Sequence, residues 1–383
     1  KLTCFFILCI FSFLSLASEQ ALIDLSKNKQ WLKLLHYKTT DSSESYITSS
    51  EFFINTSTRS SSLNELKATI AAFLLPVTKS TIADEHAQCV FPARLHLISK
   101  HLNLNSYGQL PTIECTKYEL WRNQIKDNSI SIVFASGYMS NPASMYGHLL
   151  MKFGEVDANN SSKLLDTSLN YGAIVPSEEN PLLYVLRGIF GGYDASFSDQ
   201  QFFKHKHNYG NIELRDMWEY KLTLTAEDVA FIIDHLWEIL PAKFDYYFID
   251  ENCAYHFAKL IELVLDEPII SDDSYWVLPN SVASGLTKAT YKNKPLLKKV
   301  DFIPSSESVL HNYYKQLSVE QRQVVSTIIS HDFSFAIKEY EDLNDDEKKG
   351  IVESLFQYMN VVAQKDKQAD AIKTAKKKLI SER

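Results

Sequence analysis

The chain has 383 residues, 45% of them hydrophobic and 12% aromatic, which is the composition of a globular protein long enough for two or three units of structure with a substantial core. Its net charge of -8, with no stretch of Lys and Arg interleaved with aromatics, argues against a nucleic-acid footprint.

Residues 1–17 combine a charged start, an apolar run and a small-x-small end at Ser15-Leu16-Ala17, the pattern of a secretory signal peptide cleaved after Ala17. The run is short for a membrane span, although an uncleaved anchor is the alternative, and no later segment is long and apolar enough to cross a bilayer. Cys9 lies inside the apolar run behind the bulky Leu8, a poor setting for lipoprotein processing.

Export leaves Cys89, Cys115 and Cys253 in the mature chain. In an oxidising compartment Cys89 and Cys115, close in sequence, are the expected disulfide. Cys253 is then the odd thiol. It reads either as a small buried hydrophobe or as a thiol kept for chemistry, and an oxidising setting favours the second reading.

Residues 18–125 read as mostly helical. Trp31, Leu32, Leu34 and Leu35 sit in an amphipathic run. Ser62 with Glu65 forms a capping box ahead of Leu66, Ile70, Phe73 and Leu74, stopped by Pro76. Cys89 to Arg94 is expected to be a loop entering a helix, with Arg94 a structural or surface charge.

The periodicity then shortens to two. Ile130 to Ser136 predicts a strand, residues 137–147 a Gly- and Ser-containing loop, and His148 to Val156 a second strand, with Leu149, Met151 and Phe153 on one face and His148 on the other. A histidine there either lines a cleft or is a satisfied structural group. Leu165 to Ala173 predicts a further strand carrying Asn170-Tyr171-Gly172. Gly188, Gly191 and Gly192 punctuate an aromatic-rich stretch reaching His205 and His207, which lack the Cys, Asp or Glu partners of a metal site. No metal or cofactor is expected. Ile212 to Leu224 predicts a strand, Thr225 opens a helix over 229–239, and Phe244 to Ile249 is an aromatic segment.

That segment leads into Phe-Ile-Asp-Glu-Asn-Cys-Ala-Tyr-His-Phe, residues 248–257. Phe257, Leu260, Ile261 and Val264 share one helical face, and Asp250 or Asn252 can cap the helix. Cys253 then lies in the first turn, where unpaired N–H groups and the positive dipole end favour a thiolate. Those first-turn amides are also the expected oxyanion donors, with Tyr146 as a supporting candidate. Residues 300–383 return to helices, with caps at Ser318/Gln321 and Asn344/Glu347. The run Lys376-Lys377-Lys378 is expected to be a solvated helix face, with a membrane-surface role the weaker option.

A nucleophilic cysteine needs a base, and the base needs an orienting group. His148 is the natural base, Asn170 the best orienting candidate, and Asn252 the cap. His256 competes for the role of base, but a partner on the nucleophile's own helix is geometrically poorer.

Gly147 to Phe153, Asn170-Tyr171-Gly172, Arg215 to Tyr220 and Glu251 to Phe257 resemble, in that order, the Lnb N-terminal periplasmic domain family. The likeness is close over about 130–290, and the region holding Trp31 and Cys89 to Arg94 is similar to the segment that often precedes it. The Asn-Cys-x-x-His-Phe motif is also similar to the Asn-Cys-x-His-Phe of the lecithin:retinol acyltransferase family. The resemblance implies an α+β, circularly permuted papain-like (NlpC superfamily) core, an antiparallel sheet with a nucleophile helix, flanked by helical N- and C-terminal regions. It implies Cys253 as nucleophile and His148 as base, and acyl transfer onto lipoprotein amino termini in members with additional membrane helices. A relative without them is expected to hydrolyse an acyl or peptide bond.

The expected organisation is a signal peptide (1–17), a helical region (18–125), a papain-like catalytic domain (126–295) and a helical C-terminal region (296–383). The expected activity is an exported thiol acyltransferase or hydrolase acting on phospholipid or lipoprotein at the membrane surface. The alternatives are a cysteine peptidase or amidase on envelope peptides and a non-catalytic envelope binding module. The expected location is the periplasm, with membrane association open.

Overall fold

The computed structural model describes residues 19–38, 44–78, 82–125, 129–140, 144–154, 162–176, 178–271, 274, 276–365 and 369–382, and the expected signal peptide at 1–17 lies outside them. The period-two segments form β1 (Ser129–Ala135), β2 (His148–Gly154) and β3 (Thr167–Ala173), close to where alternation puts them. They are joined by β4 (Asp194–Gln201), β5 (Met217–Leu222) and β6 (Phe244–Asp245), a short hairpin of β7 (Thr290–Tyr291) and β8 (Lys294–Pro295), and β9 (Leu297–Ile303). Seven of these strands hydrogen-bond in the order β6-β4-β3-β2-β1-β5-β9. β2 pairs antiparallel with β3, setting Met151 opposite Leu169 and Lys152 opposite Ser168, and β4 pairs antiparallel with β6. The protein is therefore α+β.

Two strand expectations change. All seven residues of β2 are buried, so the strand has no solvated face, and Lys152 survives there by pairing with Asp166 at 3.3 Å. β5 starts at Met217 and not at Ile212, because His207–Ile212 continues the helix Phe202–Lys206 as a π-helical turn and Leu214 takes a positive φ of 56°.

The described residues fall into two compact units. The first comprises those within 1–132, 149–200 and 220–299; the second those within 133–148, 201–219 and 300–383. In the first unit Trp31 is fully buried and its indole N–H donates to the Ser62 carbonyl at 3.3 Å. Cys89 and Cys115 form the expected disulfide, with Cα atoms 5.1 Å apart, and the Trp237 indole N–H donates to the Cys89 carbonyl. The capping box expected at Ser62 does not form. Ser61 caps the helix Ser62–Phe73, and Glu65 is buried against Arg94 at 2.8 Å.

That ion pair belongs to a fully buried network, so Arg94 is structural and not a surface charge. Its guanidinium also donates to the Phe52 carbonyl and lies over the rings of Phe52 and Phe91, and its backbone N–H donates to Glu238. Glu238 in turn meets His235 Nδ1 at 2.8 Å, and His235 Nε2 lies 2.9 Å from His36 Nε2. These side chains are tolerated in the core because each has a partner in the network, although Arg94 Nε has no hydrogen-bond partner among the described residues.

In the second unit the helices Ser306–Gln316, Val319–Ser330, Asp345–Lys365 and Ala369–Glu382 follow β9. Val325, Ile328, Ile351, Leu355 and Leu379 meet in one apolar cluster. Ser318 and Gln321 form a reciprocal cap, as do Asn344 and Glu347. The basic run Lys376-Lys377-Lys378 lies on a helix whose Leu379 is fully buried, and the Lys378 ammonium donates to the Asp332 carbonyl.

Burial pushes the Glu238 carboxyl up to about 8 and the His235 imidazole down to about 3. A raised carboxyl holds its proton longer in the folded state, so its contribution is full below its ordinary 4.5 and is lost as pH rises to about 8. The His235 contribution has the opposite sense and is lost as pH falls from 6.5 towards 3. Between about 6.5 and 8 the Glu238 term therefore lowers stability, by on the order of 2 kcal/mol. Melting temperatures are expected to fall across that window in the wild type and to level out in Glu238→Gln. An unchanged slope in the variant would show that Glu238 is not the titrating group.

Candidate active site

The helix Cys253–Glu262 forms where its apolar spacing predicts, with Phe257, Leu260 and Ile261 fully buried, and it packs on β3. Cys253 is its first residue, is 3% exposed, and among the described residues is the cysteine outside the disulfide. Of the two possible caps, Asn252 is the one used. Its side-chain oxygen accepts from the N–H groups of Ala254 at 2.9 Å and Tyr255 at 3.4 Å. Its amide nitrogen donates to the carbonyls of Phe248 at 3.0 Å and Val277 at 2.7 Å. The whole hydrogen-bonding capacity of one asparagine is thus used at the residue before the thiol. The first-turn amides of Ala254 and Tyr255, expected to face an oxyanion, are instead engaged by this cap.

The segment entering the helix is held from the side by the helix Pro181–Phe190. The Phe248 N–H donates to the Gly188 carbonyl at 2.7 Å, and a Cβ on Gly188 would stand 2.2 Å from the Phe248 ring, so any larger residue would force that ring to move. Glu251, two residues before the thiol, is pushed up to about 7, chiefly by burial, with Asp250 and Asp245 adding to the shift against Lys38. Tyr171 on β3 is fully buried, and its hydroxyl is raised well above its ordinary range by burial and then by the nearby acidic groups of Tyr246, Glu251, Cys253 and Asp245.

Tyr171 is the neighbour of this site that sequence reasoning passed over in favour of Asn170. Buried Leu169 and Tyr171 alternate with half-buried Asn170, and it is Tyr171 whose ring meets the Cys253 helix, at His256. The alternation in Ser168-Leu169-Asn170-Tyr171 carried that signal.

His256 is 1% exposed in a box of aromatic rings, with centroids 4.3 Å from Tyr171 and 4.8 Å from Phe244, and neither ring nitrogen has a hydrogen-bond partner among the described residues. Burial, followed by His36 and Lys259, drives its pKa well below the ordinary value. A base must become cationic, and this box disfavours that.

Cys253, Asn252, His256 and Asn170 belong to the first unit; His148 and Tyr146 belong to the second. His148 opens β2, is 9% exposed, and its ring lies 5.7 Å from that of Tyr209. Tyr209 is stacked on His205 and lies under the Arg215 guanidinium. Arg215 holds the end of β1 by donating to the carbonyls of Ser136 at 2.6 Å and Ala135 at 3.1 Å. Gly147, with φ +103°, lets the chain turn into His148, since a Cβ there would meet Phe134 and the Ala135 carbonyl. Tyr146 is 50% exposed. His205 packs in this cluster and His207 contacts Asn211, and among the described residues no three His, Cys, Asp or Glu side chains are grouped to hold a metal.

The fold and site define an α+β protein in which Cys253, outside the disulfide, opens a helix packed on an antiparallel sheet. Residues 117–278, which contain all of these site residues, match the family model described as Lnb N-terminal periplasmic domain, so this segment is a domain of that family, which supports export of the protein. Residues 23–101 match a second model, described as a domain of unknown function (DUF7843). No curated protein and no solved structure matches the chain. Among the described residues no helix is long and apolar enough to cross a membrane.

At an ordinary N-cap, Asp and Asn are equivalent. At position 252 they are not expected to be, because Asp keeps the cap but turns an oxygen on two carbonyls. Asn252→Asp is expected to lose about 2 kcal/mol, and Asn252→Ala about 2–4 kcal/mol, in denaturant unfolding. An Asp variant as stable as wild type would show that the bonds to Phe248 and Val277 contribute nothing.

Proposed function

We propose that the chain is a cysteine-dependent acyltransferase or acyl hydrolase, on a circularly permuted papain-like core, acting on acyl groups of lipids or lipoproteins. The Cys253 thiolate attacks the acyl carbonyl. The tetrahedral intermediate collapses to a thioester as His148 passes its proton to the departing alcohol or amine. An incoming amine or water then gives a proton to His148, attacks the thioester and releases the thiolate. Asn170 fixes the imidazole tautomer, and Tyr146 is a supporting donor for the oxyanion.

The observation that carries this reading is the placing of Cys253, which lies outside the Cys89–Cys115 disulfide, at the first turn of a helix whose cap, Asn252, is fully bonded. The unpartnered, aromatic-boxed His256 supports His148 over its competitor as base.

Incubation with diacyl phospholipid is expected to add an acyl-sized mass to the wild type, removable by neutral hydroxylamine and missing from Cys253→Ala. His148→Ala should acquire it about 10²–10⁴ times more slowly. The same adduct on Cys253→Ala would overturn the assignment. So would release of amino groups from muropeptides without consumption of lipid, which is the peptidase outcome.

A further inference from the structure

The helix Pro181–Phe190 presents its apolar residues the wrong way round for a soluble protein. Leu182, Leu183, Leu186, Ile189 and Phe190 recur at the spacing of one helical face, a stripe that normally turns to the core. Here it faces out, with Leu182 69% and Phe190 76% exposed, and Gly188 is the helix's one buried residue. The inner side is narrow and already used, since Gly188 and Tyr184 pack on Phe248. A second apolar group stands by the same segment: Trp276 is 69% exposed, while the next residue, Val277, donates its N–H to the Ile249 carbonyl and accepts from Asn252. Both exposed features are thus anchored on residues 248–252, directly ahead of Cys253.

Charge decides what covers this face. The helix carries one charged side chain, Arg187, and Glu179 neutralises it at 2.8 Å. The chain as a whole carries a net charge of -8. An anionic surface would repel the protein and find no basic patch on the stripe, whereas a neutral, zwitterionic surface complements it. A tryptophan at the rim suits the boundary between headgroups and acyl chains.

We infer that the outer face of the helix Pro181–Phe190, together with Trp276, docks the protein on a zwitterionic phospholipid surface, with the segment that carries Cys253 held against it. The inference deepens the reading of Cys253 as a nucleophile toward lipid acyl groups. Binding itself needs no reaction, so the two are tested apart.

The test is co-sedimentation of the full chain with vesicles of phosphatidylcholine and phosphatidylethanolamine, at low and at high salt, with and without phosphatidylglycerol. Docking predicts binding that salt does not weaken and phosphatidylglycerol does not improve, and equal binding by Cys253→Ala. Leu186→Asp combined with Phe190→Asp should bind about tenfold or more weakly with an unchanged melting temperature, since both side chains are exposed. Brominated acyl chains should quench tryptophan emission in the wild type and much less in Trp276→Phe. Docking is overturned by failure to sediment with zwitterionic vesicles, by binding that requires anionic lipid and is lost at high salt, or by wild-type binding of the double variant. A dimer of the wild type that the double variant abolishes would assign the face to a second copy and overturn it as well. If vesicles bind but no thioester ever forms, the reading of Cys253 fails and docking stands.

Discussion

The four hydrogen bonds of the Asn252 side chain are the constraint on which the geometry around Cys253 depends. They bind three pieces of chain: the start of the Cys253 helix, the aromatic segment at Phe248, and Val277 beyond the helix, whose own N–H adds a bond to the Ile249 carbonyl. Each bond contributes modestly, but in a buried site the loss of one leaves an unpaired group, and that penalty makes the arrangement all-or-none. The thiol is therefore held in one place by its neighbour. The glycine at 188 extends the constraint outward, because its missing side chain leaves the space that the Phe248 ring occupies against the helix Pro181–Phe190.

The other end of the Cys253 helix is held by the N-terminal part of the chain. The Lys33 ammonium donates to the carbonyls of Glu262 and Leu265, and the Gln30 amide to that of Leu263, so a short helix from the region matching the domain of unknown function satisfies the last carbonyls of the Cys253 helix. Asn28 caps that short helix in turn. The buried network from Glu65 through Arg94 to Glu238 joins the same region to the helix Ala226–Ile239. The two family matches are thus physically interdependent within the first unit. Breaking one member of such a network leaves a charge in the core and costs far more than a surface pair would.

Much of this was legible in the sequence wherever one local pattern governs. The apolar spacing after Cys253, the alternation in β1 to β3, the disulfide from cysteine arithmetic, and the reciprocal cap at Ser318 all follow from residues near one another. What was not legible depends on distant partners. Glu65 has the position of a capping residue, but Arg94 removes it from that role. Arg215 appeared as part of a motif, whereas its work is to hold the end of β1 through two carbonyls. Tyr171 was hidden behind the more polar Asn170. The helix Pro181–Phe190 escaped notice because an apolar stripe reads as core whichever way it faces, and its direction is set by Phe248.

Activation of Cys253 by His148 is the central claim, and it is tested most directly by the pH dependence of alkylation of the Cys253 thiol in the folded wild type and in His148→Ala. An activated pair predicts a rate that rises through a midpoint below about 7.5 in the wild type and moves up to the ordinary thiol range near about 8.5 when the imidazole is removed. Two superimposable profiles, both with the ordinary midpoint, would contradict it.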